Sequence, residues 1–121
     1  MKVLVIEDNP QNMKLIAFVL KKYGHVLIEA SCGLEGVEKA INLQPDLILM
    51  DIQLPDIDGL EATRKIRKIM LNIPIIAITS YAMAGDREKV IDAGCIGYFE
   101  KPINPLTIMK DIEKVLRERK P

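Results

Sequence analysis

The sequence predicts an α/β fold: a doubly wound, five-stranded parallel sheet with helices on both faces. Short apolar runs at 2–7, 26–30, 46–50, 74–79 and 97–100 alternate with helical patterning near 11–23, 34–43, 59–71, 84–94 and 105–119. That alternation is the signature of βα units. The runs are mostly continuous rather than alternating apolar with polar, as strands buried on both faces require. The residues able to do chemistry also stand at the ends of the runs: Glu7 and Asp8, then Asp51, Thr79 and Lys101. In an open parallel sheet the carboxyl ends of the strands share one edge, where ligands bind.

Each element has its own justification. Val3-Leu4-Val5-Ile6 forms the first run, and the following helix sets Met13, Ile16, Ala17 and Leu20 on one stripe. Pro10 opens that helix, where its missing N–H costs nothing, and Gly24 suits the C-terminal cap. Val26–Ala30 is the least apolar run and fits a sheet edge. The second helix directs Leu34, Val37 and Ile41 inward and stops before Pro45. Leu47–Met50 is the most buried-looking run. The third helix starts after Asp58-Gly59 and carries Ala62, Ile66, Ile69 and Met70. Ile75–Ile78 ends at Thr79. The fourth helix offers only Met83, Val90, Ile91 and Ala93, with Gly85-Asp86 in its first turn. It is the least firmly held, either a moving part or simply a short surface helix. The last helix carries Ile108, Met109, Ile112, Val115 and Leu116, and its basic end, Arg117 to Lys120, complements the helix dipole.

Composition narrows the function classes. A chain of 121 residues is one domain, and 49% hydrophobic content supports a real core. Formal net charge is zero, so nothing draws the chain to nucleic acid or to an anionic membrane. No apolar run is long enough to span a bilayer, and no signal-peptide pattern precedes the first strand, so the expected location is the cytoplasm. Cys32 and Cys95 lack metal-ligand spacing and read as reduced, mostly buried thiols.

The strand-end residues imply a definite chemistry. Converging carboxylates repel and raise one another's pKa unless a cation relieves them. Magnesium takes oxygen ligands and is held by one or two carboxylates plus phosphate oxygens. Asp8 and Asp51 are the natural direct ligands, and Glu7 reaches through a water. Asp51 has a second capability, since a carboxylate can attack phosphorus to give an acyl phosphate. Lys101 offers a point charge and Thr79 a hydroxyl to phosphate oxygens, while Ser80 leaves room beside them. A cis Lys101–Pro102 bond would aim the amine back at the acids. Singly, each is an ordinary surface lysine, strand-end threonine or solvated acid; their agreement across the strand ends is what points to a site.

At these residues the chain resembles the response-regulator receiver domains of two-component signalling. The motifs are V-L-V-I-E-D-N-P at 3–10, P-D-L-I-L-M-D-I-Q-L-P-D-I-D-G at 45–59, I-P-I-I-A-I-T-S at 73–80 and G-Y-F-E-K-P at 97–102. The resemblance spans residues 1–121 as one receiver without an output domain. It implies the flavodoxin-like (CheY-like) three-layer sandwich with strand order 2-1-3-4-5. It implies Asp51 as phosphoacceptor, with Asp8, Glu7 through water and the Gln53 backbone carbonyl completing a Mg2+ site that Mn2+ can also occupy. Thr79 becomes the switch hydroxyl, Lys101 the phosphate-binding lysine and Tyr98 the aromatic switch. Gln53 and Tyr81 tune the phosphoryl lifetime. Glu7, where the family often has aspartate, is a common variant. Asn9–Asn12 and Tyr81–Asp86 resemble stand-alone cell-cycle and polarity regulators, and also receivers fused to hybrid histidine kinases.

The resulting expectation is a signalling switch rather than an enzyme acting on other substrates. A sensor histidine kinase or phosphotransfer protein docks near the 11–23 helix and phosphorylates Asp51; a downstream protein target reads the 84–119 face. Neither nucleic acid nor membrane is an expected partner. A stand-alone regulator is favoured over an excised hybrid-kinase receiver because Met1 leads directly into the first strand. A Mg2+-dependent aspartyl phosphatase would place an acid two residues after its nucleophile, where this chain has Gln53. A dinucleotide or flavin domain would need a glycine-rich loop after the first strand, where Glu7-Asp8-Asn9-Pro10 stands. A phosphorylation-independent scaffold would have no use for the acid set.

Overall fold

The computed structural model describes residues 1–80 and 86–119. Five strands and five helices alternate: β1 Lys2–Ile6, α1 Pro10–Lys22, β2 Val26–Ala30, α2 Gly33–Leu43, β3 Leu47–Asp51, α3 Gly59–Ile69, β4 Ile75–Thr79, α4 Asp86–Ala93, β5 Gly97–Glu100 and α5 Ile108–Glu118. The sheet has the order β2-β1-β3-β4-β5 with every pairing parallel. The flavodoxin-like α/β architecture expected from the sequence is therefore the one observed.

Strand alternation divides the core between the two faces. Val3, Val5, Leu47, Leu49, Ile76 and Ile78 pack beneath α1 and α5, whose Ile16, Leu20, Met109 and Ile112 complete that layer. Leu4, Ile6, Ile48, Met50, Ile75 and Ala77 pack beneath α2, α3 and α4. β1, β3 and β4 are buried on both faces, whereas β2 exposes Val26 and Glu29 as an edge strand does. No described helix is long and apolar enough to cross a membrane.

Helix ends explain most of the boundaries. Asn9 caps α1, its side chain accepting from the Gln11 and Asn12 N–H groups at 2.9 and 3.1 Å. Gly24 takes φ +81° just past the end of α1. α5 begins at Ile108, later than the pattern predicts, because Asn104 first organises a turn: its side chain accepts from Leu106 N–H at 2.9 Å and its carbonyl from Ile108 N–H at 3.0 Å. The C-terminal ends of α3 and α4 are joined by Arg67, whose Nε donates to the Gly94 carbonyl at 2.9 Å and Nη1 to the Met70 carbonyl at 3.1 Å.

Two inward assignments are corrected. Leu34 is exposed, because the buried side of α2 is Gly33, against the loop after β3, with Gly36 and Ala40. The approach there is close enough that a Cβ on Gly36 would lie 2.4 Å from Ile6 Cδ1. Ile69 is likewise exposed, since half-buried Met70 takes the inward place at the end of α3. In α4 only Val90 and Ala93 are buried and Ile91 is exposed, while Met83 lies outside the described residues. Cys32 is half-buried and Cys95 buried, both as free thiols.

Candidate functional site

The carboxyl ends of β1, β3, β4 and β5 bring the predicted residues to one place. Glu7 follows β1 and is buried, Asp8 beside it is exposed, and Asp51 is the buried last residue of β3. One carboxylate oxygen from each of Glu7, Asp8 and Asp51 lies within 4.8 Å of the others. The Lys101 ammonium enters from beyond β5, 3.1 Å from Asp51 Oδ2 and 2.9 Å from Glu7 Oε1. The Lys101–Pro102 bond is cis, and Lys101 N–H donates to the Thr79 carbonyl at 2.8 Å, tying the β4 and β5 ends together.

Burial makes this arrangement electrostatically strained. Both Glu7 oxygens are enclosed, and Lys101 Nζ, 2.9 Å from Oε1, meets the carboxylate as an ion pair outside good hydrogen-bond geometry. Burial raises the Asp51 pKa first, and the adjoining Glu7 carboxylate adds to it, so that Asp51 reaches about 7 despite donors from Gln53 and Lys101. Glu7 moves the opposite way: burial would raise it, but its contacts with Asp51 and Lys101 outweigh burial and lower it. Lys101 is raised, because the two carboxylates overcome the effect of burial. Below about pH 7 the Glu7–Asp51 pair therefore holds one proton, mainly on Asp51.

That is the condition a hard divalent cation relieves. Among the described residues three carboxylates face the Lys101 ammonium, both Glu7 oxygens are buried with that ammonium against Oε1, and all the ligand atoms are oxygen, the donor type Mg2+ requires. The residues fit such an ion. Gln53 is exposed and its N–H donates to Asp51 Oδ1 at 3.0 Å, which holds the carboxylate rotamer.

The remaining predicted residues frame a neighbouring cavity of about 140 Å³. It lies between Thr79, on the buried end of β4, and half-buried Tyr98 of β5, walled by Ile52, Leu60 and Val90. Tyr81 lies outside the described residues.

Sequence reasoning missed three residues that shape the site. A Cβ on Gly59 would sit 2.3 Å from the Asp51 carbonyl oxygen, so only glycine fits there. Asn9 fixes the exit from Asp8 through its cap. Asp56 accepts the first N–H groups of α2, which holds its carboxyl far below the usual carboxylate range. Asp58-Gly59 and Pro10 signalled helix starts, but nothing local announced that Asp56 would cap a helix earlier in the chain.

Comparison with known proteins agrees with this geometry. Residues 3–113 match the response regulator receiver domain family. The polar-differentiation response regulator DivK of Brucella ovis is 40% identical over 116 residues, covering 94% of each chain. The receiver domain of sensor histidine kinase PA1611 from Pseudomonas aeruginosa, solved with a magnesium ion in its active-site cleft, is 34% identical, with TM-score 0.87 over 97% of this chain and 98% of that one. A CheY-like receiver domain protein from Methanospirillum hungatei is 29% identical, with TM-score 0.89 over 97% and 94% of the two chains. With four strand ends, one acid cluster and this match agreeing, the chain belongs to the response regulator receiver domain family.

Proposed function

We propose that this chain is a single-domain response regulator, switched by phosphorylation of Asp51 in a Mg2+-dependent reaction. The observation that carries the proposal is a buried carboxylate ending β3, flanked by two further acids and contacted by Lys101 Nζ at 3.1 Å. Coverage of 94% of both chains in the match to DivK supports the single-domain reading.

Asp8, Glu7, Asp51 and the Gln53 backbone carbonyl are the residues that would hold the ion, with Glu7 acting through water and Mn2+ as a substitute. When bound, the cation neutralises the carboxylates and the charge on the transferred phosphoryl oxygens. An Asp51 oxygen attacks the phosphorus of a partner's phosphohistidine; the O–P bond forms as the P–N bond breaks, and its electron pair stays with the imidazole. Lys101 orients and neutralises one phosphoryl oxygen, and Thr79 donates its hydroxyl to another. Drawing Thr79 toward the phosphate opens the 140 Å³ cavity to Tyr98, whose inward turn alters the α4–β5–α5 face. Gln53 and Tyr81 set the phosphoryl lifetime.

The partners are a sensor histidine kinase or phosphotransfer protein docking along α1, and a downstream protein reading the face formed by residues 84–119. The activity is confined to the chain's own phosphorylation and dephosphorylation, in the cytoplasm. Intact-protein mass after incubation with acetyl phosphate tests the reading. One added phosphoryl group that requires both Mg2+ and Asp51 supports it; modification of Asp51→Asn at the same residue, or no adduct together with no stabilisation by Mg2+, overturns it. The match to the PA1611 receiver supports a second reading, a receiver belonging to a hybrid kinase; phosphoryl taken from a kinase histidine and passed on from Asp51 to the histidine of a phosphotransfer domain would favour it.

A further inference from the structure

Asp56 stands apart from the acid cluster, in the loop that leaves Asp51 for α3. Its Oδ1 accepts from Gly33 N–H at 2.7 Å and its Oδ2 from Leu34 N–H at 2.8 Å. These groups belong to the first turn of α2, whose own N-cap residue, Cys32, supplies no side-chain hydrogen bond. A helix ordinarily takes its cap from the residue just before it; here the cap comes from a loop more than twenty residues later.

The contact is also a steric one. A Cβ on Gly33 would lie 2.5 Å from Ile57 Cγ1, so the loop is pressed onto the start of α2. The base of the same loop is closed separately, by Gly59 N–H donating to the Ile52 carbonyl at 2.8 Å and by Asp58 capping α3 through Glu61 N–H at 2.8 Å. The segment from Ile52 to Asp58 is thus held at its base by α3 and at its apex by α2. Between those supports lies Gln53, whose N–H fixes Asp51 Oδ1 at 3.0 Å.

We propose that Asp56 is a positioning residue for the cation site: by fastening the loop apex to α2, it holds Gln53 and the Asp51 carboxylate in the relation a divalent ion requires. The inference rests on the Mg2+-dependent reading above. Mg2+ demands near-ideal octahedral geometry and tolerates displaced ligands poorly, and groups that orient ligands from outside carry a measurable share of the affinity. Gln53 belongs to the loop itself, so slack at the apex reaches a ligand-bearing residue without crossing the core.

The experiment titrates Mg2+ into the full chain and follows the Asp51 and Gln53 amide resonances, for wild type, Asp56→Ala, Asp56→Asn and Ile112→Val. Ile112→Val lowers stability on the opposite face of the sheet and touches no part of the loop. Asp56→Ala is expected to weaken Mg2+ binding about tenfold. Asp56→Asn, which keeps one acceptor oxygen, is expected to weaken it less, and Ile112→Val to leave it unchanged. In the acetyl phosphate reaction Asp56→Ala should raise the Mg2+ concentration for half-maximal rate while leaving the rate at saturating Mg2+ near wild type. Wild-type affinity in both Asp56 variants, or an equal loss in Ile112→Val, overturns the assignment. Absence of a Mg2+ response in the wild type overturns the Mg2+-dependent reading itself and is thereby distinguished.

Discussion

Glu7 and Asp51, forty-four residues apart in the chain, hold one ammonium between them: Lys101 Nζ lies 2.9 Å from Glu7 Oε1 and 3.1 Å from Asp51 Oδ2. One positive charge serves two buried carboxylates, and the consequences are measurable.

The metal-free protein should lose stability as pH rises. Asp51 has a folded pKa of about 7 against an ordinary 3.8. The folded state therefore binds more protons than the unfolded one between those values, and stability falls from about pH 4 to pH 7. Lowered Glu7 acts the other way near and below its ordinary value and reduces the net effect. Asp51→Asn should flatten this slope and raise the melting temperature at about pH 8, which thermal unfolding across pH in the presence of a chelator reads directly.

Mg2+ stabilisation should show the complementary trend. The ion binds the ionised acids, so at fixed excess Mg2+ the rise in melting temperature should be larger at about pH 8 than at about pH 5. Removing Mg2+ with a chelator should reverse it fully. A rise of equal size at both pH values would contradict the shared-proton description.

Lys101→Ala should be costly for a reason separate from chemistry. It leaves Glu7 and Asp51 buried without their counter-charge, a loss of about 3 kcal/mol for a broken buried pair. Denaturant unfolding should show the loss at about pH 8 and a smaller one at about pH 5, where Asp51 is protonated in the fold and Glu7 alone is left without its counter-charge.

Two glycine substitutions should differ sharply. A Cβ on Gly59 meets the Asp51 backbone carbonyl at 2.3 Å, which cannot yield without moving the acid. Gly59→Ala should destabilise by about 3 kcal/mol and impair phosphorylation by acetyl phosphate. At Gly36 the clash is with the buried Ile6 side chain, Cδ1 at 2.4 Å and Cγ1 at 2.7 Å, and with no backbone, so Gly36→Ala should cost about 1–3 kcal/mol by repacking of the core and leave phosphorylation near wild type.

How much was legible follows from which forces are local. Continuous apolar runs identified β1, β3 and β4, because strands buried on both faces leave no alternative pattern. The site acids were legible because the fold puts strand ends on a shared edge. What escaped was set by neighbours distant in sequence. Leu34 looked inward by helical spacing, yet it is Gly36 that meets the sheet, against Ile6 of β1, while Gly33 lies against Ile57 of the loop after β3. Asp56 carried no local signal of its role, because its partner is a helix that precedes it by more than twenty positions. Asn104 moved the start of α5 because a turn with its own side-chain hydrogen bond intervened.

The Arg67 bridge gives α4 two mechanically unequal ends. At Gly94 the helix is moored to α3, and a Cβ there would strike the arginine stem at 2.6 Å. Asp86 through Lys89 at the other end contribute no buried residue. Eight residues of helix make a lever of about 12 Å, so a swing of about 5° about the moored end carries Asp86 roughly 1 Å while Gly94 stays in place. The fulcrum sits at the edge of the molecule opposite Asp51, and the long arm ends beside Thr79.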